Sequence, residues 1–292
     1  MIKIIGQIEL KKTISAMAVS GFPRCTLLVG IKGSGTTLMS QYIADRIEAE
    51  WILVDSKVAN IREAITLAQK RSTPTVYVFA DVQDMSGAAK NSMLKMAEEP
   101  PENAYVVLTT TNQSEVLDTL VSRSYVLQMQ DYWNSELIQY ATERQYPIGD
   151  LKPEVLAFVT QAARVPGEID QLFTYNVEEF MTFMHKVVNN LPTVSGVNAL
   201  KIQNYLSLKA DATGYDLTLF LRAYLELCGE VLVKRPIWFK DENYRLERFV
   251  TRYNMAMAYT TKYLQELTSI SGVNQLATFD MWVLDVRKQL VP

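Results

Sequence analysis

Short apolar runs in the first 130 residues constrain the fold more than any other feature of this sequence. They read CTLLV at 25–29, TVYVF at 75–79 and YVVLT at 105–109, with a weaker run at 51–54. Turn-forming or polar residues bound each run, as expected for strands buried on both faces of a parallel sheet. Stretches of helical composition separate them, at 38–47, 62–70 and 88–97. The sequence therefore predicts an α/β domain with a parallel sheet and helices on both of its faces.

The rest of the chain has a different pattern. From Tyr132 onward the apolar residues recur at helical rather than strand spacing. A segment rich in turn-forming residues near 189–196 divides this helical part. We therefore predict three domains: the α/β core at 1–131, a small helical domain at 132–194 and a second helical domain at 195–292. A length of 292 residues fits two or three domains.

Composition and charge exclude several classes of protein. A net charge of -3 argues against an autonomous nucleic-acid binder, which needs a dense basic surface. With Cys25, Cys228 and His185 as its only cysteines and histidine, the chain cannot build a zinc site of thiolates and imidazoles, and we expect no metal. There is no run of about 18 apolar residues and no secretory leader, so we expect no membrane span and a cytoplasmic location.

A glycine-rich segment follows the first strand and precedes a helix. It reads GIKGSGTT from Gly30 to Thr37. The spacing matches a P-loop, in which glycines such as Gly30, Gly33 and Gly35 let backbone N–H groups face a phosphate. Thr36 stands where the P-loop lysine is expected, while Thr37 keeps the hydroxyl of the next position. Two interpretations stay open: a weakened phosphate site that binds ATP, or a strand-to-helix turn without a ligand. No cofactor is therefore certain.

The residues after the predicted strand at 75–79 (TVYVF) decide whether the chain could hydrolyse ATP. A P-loop ATPase needs an Asp for the magnesium shell and an acidic residue that activates water after this strand. Here Ala80 occupies the position of the metal ligand and Asp81 that of the base, and Asp84 lies beyond the strand. Loss of the lysine and of this Asp removes two sources of electrostatic stabilisation for phosphoryl transfer. We predict that the chain does not hydrolyse ATP on its own.

The segment NSMLKMAEEPPENAYVVLTTTN, residues 91–112, is the most specific motif. It resembles the clamp-loader branch of the AAA+ proteins, and within it the delta-prime subunits of bacterial DNA polymerase III. The match consists of a helix that ends in Glu-Glu-Pro-Pro: Leu94, Lys95, Glu98, Glu99, Pro100 and Pro101. Thr110–Asn112 resembles the first sensor of that family, and Gly6-Gln7 resembles its entry motif. The resemblance implies a P-loop-type AAA+ core followed by a helical lid and a helical collar that joins subunits into a ring.

Two further motifs gain meaning from this resemblance. Ser122-Arg123-Ser124 resembles the motif that supplies an arginine finger to the ATP of a neighbouring subunit, although its cysteine is replaced by Ser124. The alternative is that Arg123 forms an ordinary salt bridge. In the predicted lid, alignment on Pro166-Gly167 places Glu168 at the basic position of the second sensor. Glu168 would then be a like charge facing phosphate, and Arg164 is an alternative candidate for that position.

These observations lead to three hypotheses. The first is a non-hydrolysing clamp-loader stator that supplies Arg123 while partner subunits hydrolyse ATP. Its expected partners are clamp-loader ATPase subunits, a delta-like subunit, the sliding clamp and, through the complex, primer-template DNA, with Lys90 and Lys95 as candidate phosphate contacts or as solvated helix residues. The second is an active AAA+ ATPase with a variant P-loop and with Asp81 or Asp84 as its metal ligand. The third is a degenerate AAA+ assembly scaffold.

Overall fold

The computed structural model describes residues 3–174, 176–193, 195–206, 216–234, 243–269 and 273–290. The chain divides into two compact units, Met1–Glu136 and Leu137–Pro292. The first unit contains the whole predicted α/β core. The separation of the helical part into two domains at about residue 195 stays a prediction.

The first unit is built on a five-stranded parallel sheet. Its strands are β1 (Cys25–Val29), β2 (Glu50–Val54), β3 (Thr75–Phe79), β4 (Ala104–Thr110) and β5 (Tyr125–Gln128). They lie in the order β2-β3-β4-β1-β5, and every pair of neighbours is parallel. The four predicted runs are confirmed as strands. β5 was not predicted, because it is a short edge strand in which only Leu127 is buried.

Helices cover both faces of this sheet. The helices of the first unit are α1 (Ile8–Ser20), α2 (Thr36–Arg46), α3 (Val58–Lys70), α4 (Gly87–Glu98) and α5 (Asp118–Val121). Successive side chains of a strand point to opposite faces, so Leu28 packs with α1 and α2, whereas Leu27 packs with α3, α4 and α5. Short 3₁₀ turns at Val82–Asp84 and Gln113–Glu115 follow β3 and β4. The predicted fold class, a parallel α/β core with helices on both faces followed by a helical part, is confirmed.

The second unit is built from helices in its described residues. Its helices, with α6 crossing the division between the units, are α6 (Asn134–Glu143), α7 (Pro153–Ala162), α8 (Pro166–Thr174), α9 (Val177–Asn190), α10 (Gly196–Leu200), α11 (Leu217–Lys234), α12 (Asn243–Ser269) and α13 (Gln275–Leu290), with 3₁₀ turns at Ile148–Asp150 and Lys201–Tyr205. Trp282 of α13 is fully buried, and its indole N–H donates to the hydroxyl of Thr260 on α12 at 2.9 Å. Phe220 and Tyr224 of α11 meet the same ring edge to face. None of the described helices is long and apolar enough to cross a membrane.

Candidate functional site

The glycine-rich loop joins the end of β1 to the start of α2. Gly33 and Gly35 have φ angles of 83° and 92°, a region that favours glycine. Gly30 is required for a different reason: a Cβ atom there would lie 2.5 Å from Cγ of Met129 and 2.6 Å from Oγ of Ser34. All three glycines that the sequence indicated therefore have a conformational or steric function in this loop.

The loop leads into the N-terminal turn of α2. Gly35 is the residue that precedes α2, and its carbonyl accepts the first bond of the helix from the N–H of Met39 at 2.8 Å. The N–H groups of the first turn, which includes Thr36 and Thr37, have no partner within the helix. Backbone N–H groups at a helix N-terminus and a hydroxyl such as that of Thr37 are the kinds of group that bind phosphate in a P-loop. Because residue 36 is threonine, the loop offers that phosphate no ammonium group.

The end of β4 meets this loop and the end of β3 meets β4, as expected for the carboxyl ends of parallel strands. The Gly30 N–H donates to the carbonyl of Thr110 at 3.0 Å, and the Asp81 N–H donates to Oγ1 of Thr109 at 3.1 Å. Asp81 is exposed and has a φ of 51°. Ala80 offers no carboxylate beside it, and the described residues contain no cluster of three or more His, Cys, Asp or Glu that could hold a metal ion.

Two motif residues have structural contacts at this edge. The Asn112 side chain accepts bonds from the backbone N–H and the hydroxyl of Ser114, at 3.1 and 2.8 Å, and donates to Glu115 at 3.1 Å. Asn112 therefore caps the 3₁₀ turn that follows it. The Gln7 amide is buried and exchanges two bonds with the backbone of Gln130, at 2.7 and 2.8 Å. Gln7 thus fastens the N-terminal segment to the chain just beyond β5.

Tyr132 belongs to the site, although sequence reasoning did not select it. Its hydroxyl donates to the carbonyl of Ser34 in the glycine-rich loop at 2.8 Å. Burial of the phenol raises the pKa of Tyr132 to about 12. Tyr132 therefore holds the loop as a protonated donor. The only sequence signal was its position at the predicted domain boundary, which carried no information on this contact.

Arg123 lies between α5 and β5. One of its terminal nitrogens is 3.1 Å from a carboxylate oxygen of Glu98, the last residue of α4. The other donates to the carbonyl of Thr119 at 2.9 Å. The Arg123 side chain remains 39% exposed. The structure thus joins the end of the Glu-Glu-Pro-Pro helix to the arginine motif, and a salt bridge of the kind named as the alternative is present.

Arg123 and the glycine-rich loop lie at opposite ends of the strands: Arg123 is at the amino ends and the loop is at the carboxyl ends. The neighbouring Ser124 hydroxyl is 3.2 Å from the sulfur of Cys25, the first residue of β1, whereas the loop begins after the last residue of that strand. Five residues of strand span about 16 Å. Arg123 therefore cannot reach a phosphate bound by the loop of its own chain.

Glu168 corrects an expectation. Its carboxylate is buried, with 6% of the residue exposed, and forms an ion pair with Arg222 of α11. Its second oxygen accepts the backbone N–H of Arg164 at 2.7 Å. The prediction that Glu168 is a like charge facing phosphate is wrong, because this carboxylate compensates a buried guanidinium.

The two candidate phosphate contacts on α4 differ. The Lys90 ammonium group donates to the carbonyl of Gln83 at 2.8 Å and lies 3.5 Å from that of Glu115. Lys90 therefore links α4 to the 3₁₀ turns after β3 and β4. Lys95 is exposed.

The parallel sheet, the glycine-rich loop after β1 and the motif positions after β3 and β4 form an α/β core of the P-loop type. Residues 50–132 match the family model described as "DNA polymerase III, delta subunit". This segment contains the Glu-Glu-Pro-Pro helix and Arg123.

Individual relatives agree with that match. The chain is 25% identical over 152 residues to the DNA polymerase III subunit tau of Bacillus subtilis, covering 41% of this chain and 27% of that protein. It is 29% identical over 75 residues to the DNA polymerase III subunit delta' of the same organism, covering 26% of this chain and 23% of that protein. The chain thus spans less than a third of the length of either relative. The predicted resemblance to the clamp-loader family, and within it to delta-prime, is confirmed.

A solved structure extends over nearly the whole chain. It is that of a DNA polymerase III gamma subunit-related protein from Thermotoga maritima, at 18% identity, with 96% of this chain and 99% of that chain covered and a TM-score of 0.48.

Proposed function

We propose that this chain is a delta-prime-like subunit of a DNA polymerase III-type clamp loader. In this proposal it is a stator that hydrolyses no ATP itself and supplies Arg123 to ATP bound by a neighbouring subunit. The complex then places a sliding clamp on primed DNA. Residues 132–194 form the lid and residues 195–292 the collar that joins this subunit to its ATPase and delta-like partners in the cytoplasm.

The position of Arg123 carries the proposal. Its guanidinium is partly exposed and lies at the amino ends of the strands, whereas the glycine-rich loop lies at their carboxyl ends. An arginine in that position is out of reach of a phosphate on the loop of its own chain, which supports a role toward a phosphate that another chain binds. A guanidinium is permanently charged and matches phosphate oxygens in geometry, which suits the stabilisation of charge during phosphoryl transfer.

The loop of this chain supports the non-hydrolysing half of the proposal. Its backbone amides and Thr37 can hold a phosphate, but Thr36 and Ala80 supply neither the ammonium group nor the metal-side carboxylate that hydrolysis requires. ATP bound here would therefore have a structural function. The active-ATPase alternative needs Asp81 or Asp84 as the ligand of a metal ion. The side chains of both residues are exposed.

The test is ATP turnover by the complex assembled from the full chain and its partner subunits. Arg123→Ala should slow turnover at the one site that Arg123 serves by about 10³-fold or more, since fingers of this kind contribute that much elsewhere. Total ATP turnover by the complex should fall by the fraction that this one site contributes. Arg123→Lys should restore little, because an ammonium group lacks the planar pair of donors. Lys70→Ala is the control, since Lys70 is an exposed cation at the end of α3 and has no place in the proposed site.

Assembly, followed by size-exclusion chromatography, should be the same for all variants. Unchanged turnover with Arg123→Ala would refute the finger and favour the scaffold hypothesis. ATP hydrolysis by the purified chain alone, abolished by Asp81→Asn, would instead establish the active-ATPase alternative.

A further inference from the structure

The glycine-rich loop contains a buried hydroxyl that the surrounding chain does not satisfy. Ser34 is 2% exposed, and none of the described residues forms a hydrogen bond with its Oγ. That oxygen points into the loop, because it would lie only 2.6 Å from a Cβ atom on Gly30, where the loop begins. A buried hydroxyl without a partner is costly. Ser34 is therefore an observation, separate from the helix N-terminus, that fits a polar ligand in this loop.

The backbone of the same loop has the form of an anion nest. Gly33 and Gly35 have positive φ angles of 83° and 92°, and Ser34 between them does not. An alternation of this kind turns successive N–H groups toward one concave side. Among the described residues, none accepts a hydrogen bond from the Gly35 N–H. This N–H is therefore available to an anion.

Tyr132 determines which way the Gly35 N–H points. Its hydroxyl donates to the carbonyl of Ser34 at 2.8 Å, and this carbonyl belongs to the same peptide unit as the Gly35 N–H. The described residues contain no cis peptide bond, and in a planar trans peptide the C=O and N–H bonds point in opposite directions. Because glycine at 33 and 35 leaves the backbone around this peptide free to turn, the phenol supplies the constraint that the loop itself lacks.

Tyr132 can hold this peptide because its own position is fixed. The side chain of Gln7 interacts with the same phenol and exchanges two hydrogen bonds with the backbone of Gln130. Tyr132 is half-buried, and burial raises the pKa of its phenol to about 12. The hydroxyl therefore keeps the proton that it donates to Ser34 at neutral pH.

We propose that Tyr132 is a positioning residue for phosphate, which orients the Gly35 N–H so that the loop binds the phosphates of ATP without a P-loop lysine. Thr36 supplies no ammonium group, so binding depends on backbone donors and hydroxyls. Such donors bind most tightly when they are oriented before the ligand arrives, because less ordering is then required. This inference rests on the proposed structural binding of ATP at this loop, but it does not depend on Arg123.

The experiment compares two probes on the full chain by calorimetry. ATP is the first, and inorganic tripolyphosphate, which has the phosphates without the nucleoside, is the second. The test variant is Tyr132→Phe, which removes only the hydroxyl. The matched control is Tyr263→Phe, because the Tyr263 hydroxyl also forms one short hydrogen bond, to Asp285 at 2.6 Å, but lies in the second unit.

Tyr132→Phe should weaken binding of both probes by about three- to tenfold, as expected for loss of one hydrogen bond that orients a donor. Tyr263→Phe should change binding by less than about twofold. Nuclear magnetic resonance gives a local readout that a general loss of stability would not move. Chains labelled with ¹³C-carbonyl serine and ¹⁵N-glycine report only Ser-Gly peptides, which include 34–35. The Gly35 amide proton should move downfield when ATP binds, and by less in Tyr132→Phe saturated with ATP.

The proposal would be overturned if Tyr132→Phe bound both probes as tightly as the parent chain, or if the Gly35 resonance did not respond to ATP. Weaker binding of ATP alone would also overturn it, because the phenol would then contact the nucleoside and not orient a phosphate donor. Failure of the parent chain to bind either probe would refute phosphate binding by this loop. Each of these results would leave the Arg123 proposal standing, because ATP turnover of the assembled complex tests that proposal separately.

Discussion

Removal of the Glu168 carboxylate should destabilise the second unit strongly. Glu168 and Arg222 are 6% and 8% exposed, and they form an ion pair inside this unit. The Arg222 Nε–H also donates to the carbonyl of Ala162 at 3.3 Å. Burial, together with the charge of the nearby Arg164, lowers the pKa of Arg222 to about 10, so at neutral pH its guanidinium remains charged. Glu168→Ala therefore leaves a buried positive charge without its carboxylate.

The size of this effect follows from the burial of the pair. Breaking a buried ion pair by removing one partner costs about 3–5 kcal/mol. For a unit of roughly 150 residues, each kcal/mol shifts the midpoint of thermal unfolding by about 2–4 °C. Glu168→Ala should therefore lower the Tm of this unit by roughly 6–20 °C.

Calorimetry and urea unfolding at pH 7 provide the assay. Glu154→Ala is the control, because Glu154 is an exposed acid in the first turn of α7 and its loss should cost less than about 1 kcal/mol. Replacement of both partners, Glu168→Leu with Arg222→Leu, should recover most of the lost stability, since no uncompensated charge remains. The reasoning would be refuted by a Tm for Glu168→Ala within about 2 °C of the parent, or by a double variant no more stable than the single one.

Three other predictions concern the first unit and the two thiols. Gly30→Ala should lower the free energy of unfolding by about 1–3 kcal/mol, because the new Cβ makes close contacts. Gly87→Ala is the control and should be neutral or stabilising, because no atom lies within 4 Å of a Cβ there. The midpoints of urea unfolding should differ between the two variants, and equal midpoints would contradict the steric argument. Because the pKa of Tyr132 is raised to about 12 from about 10, the folded state keeps a proton that the unfolded state loses, so stability is full below about pH 10 and falls toward pH 12. Tyr132→Phe should lose less stability over that interval, and an identical pH profile would show that the phenol does not contribute. Burial raises the pKa of Cys25, and that of Cys228 to about 12, so neither thiol should react with a disulfide reagent at pH 8 before unfolding; rapid reaction of the native chain would show that these thiols are accessible.

The sheet could be predicted from the sequence because most of its strands are continuous apolar runs. β1 and β3 are buried at every position, so the first and last apolar residues of each run also predict where the strand begins and ends. β5 has one buried residue among four, and no periodicity distinguishes such an edge strand from a loop. Its omission had a consequence, because Arg123 and Tyr132 flank β5 and their places in the fold depend on it.

The site was predictable only where chain order and parallel strands determine it. Once the strands are parallel, Gly30 and Asp81 must lie at the same edge of the sheet, and this required no knowledge of side-chain packing. The partner of Glu168 lies 54 residues away on another helix, and no local pattern specifies that pairing. The motif suggested an exposed charge, whereas tertiary packing buried it.

The two ion pairs show how burial decides what an arginine can do. Arg123 and Glu98 form a partly exposed pair, with 39% and 45% of their side chains accessible, and such a pair contributes about 0–1 kcal/mol. A phosphate that binds Arg123 has to replace only this small interaction free energy with Glu98. Separation of Arg222 from Glu168 would cost much more, because it would leave a buried charge unpaired. If Arg123 is the finger that we propose, Glu98→Gln should change ATP turnover of the assembled complex by no more than about fivefold, whereas Arg123→Ala should remove the contribution of the guanidinium. Loss of turnover in Glu98→Gln equal to that in Arg123→Ala would mean that Arg123 depends on Glu98 for its position and is not simply released from it.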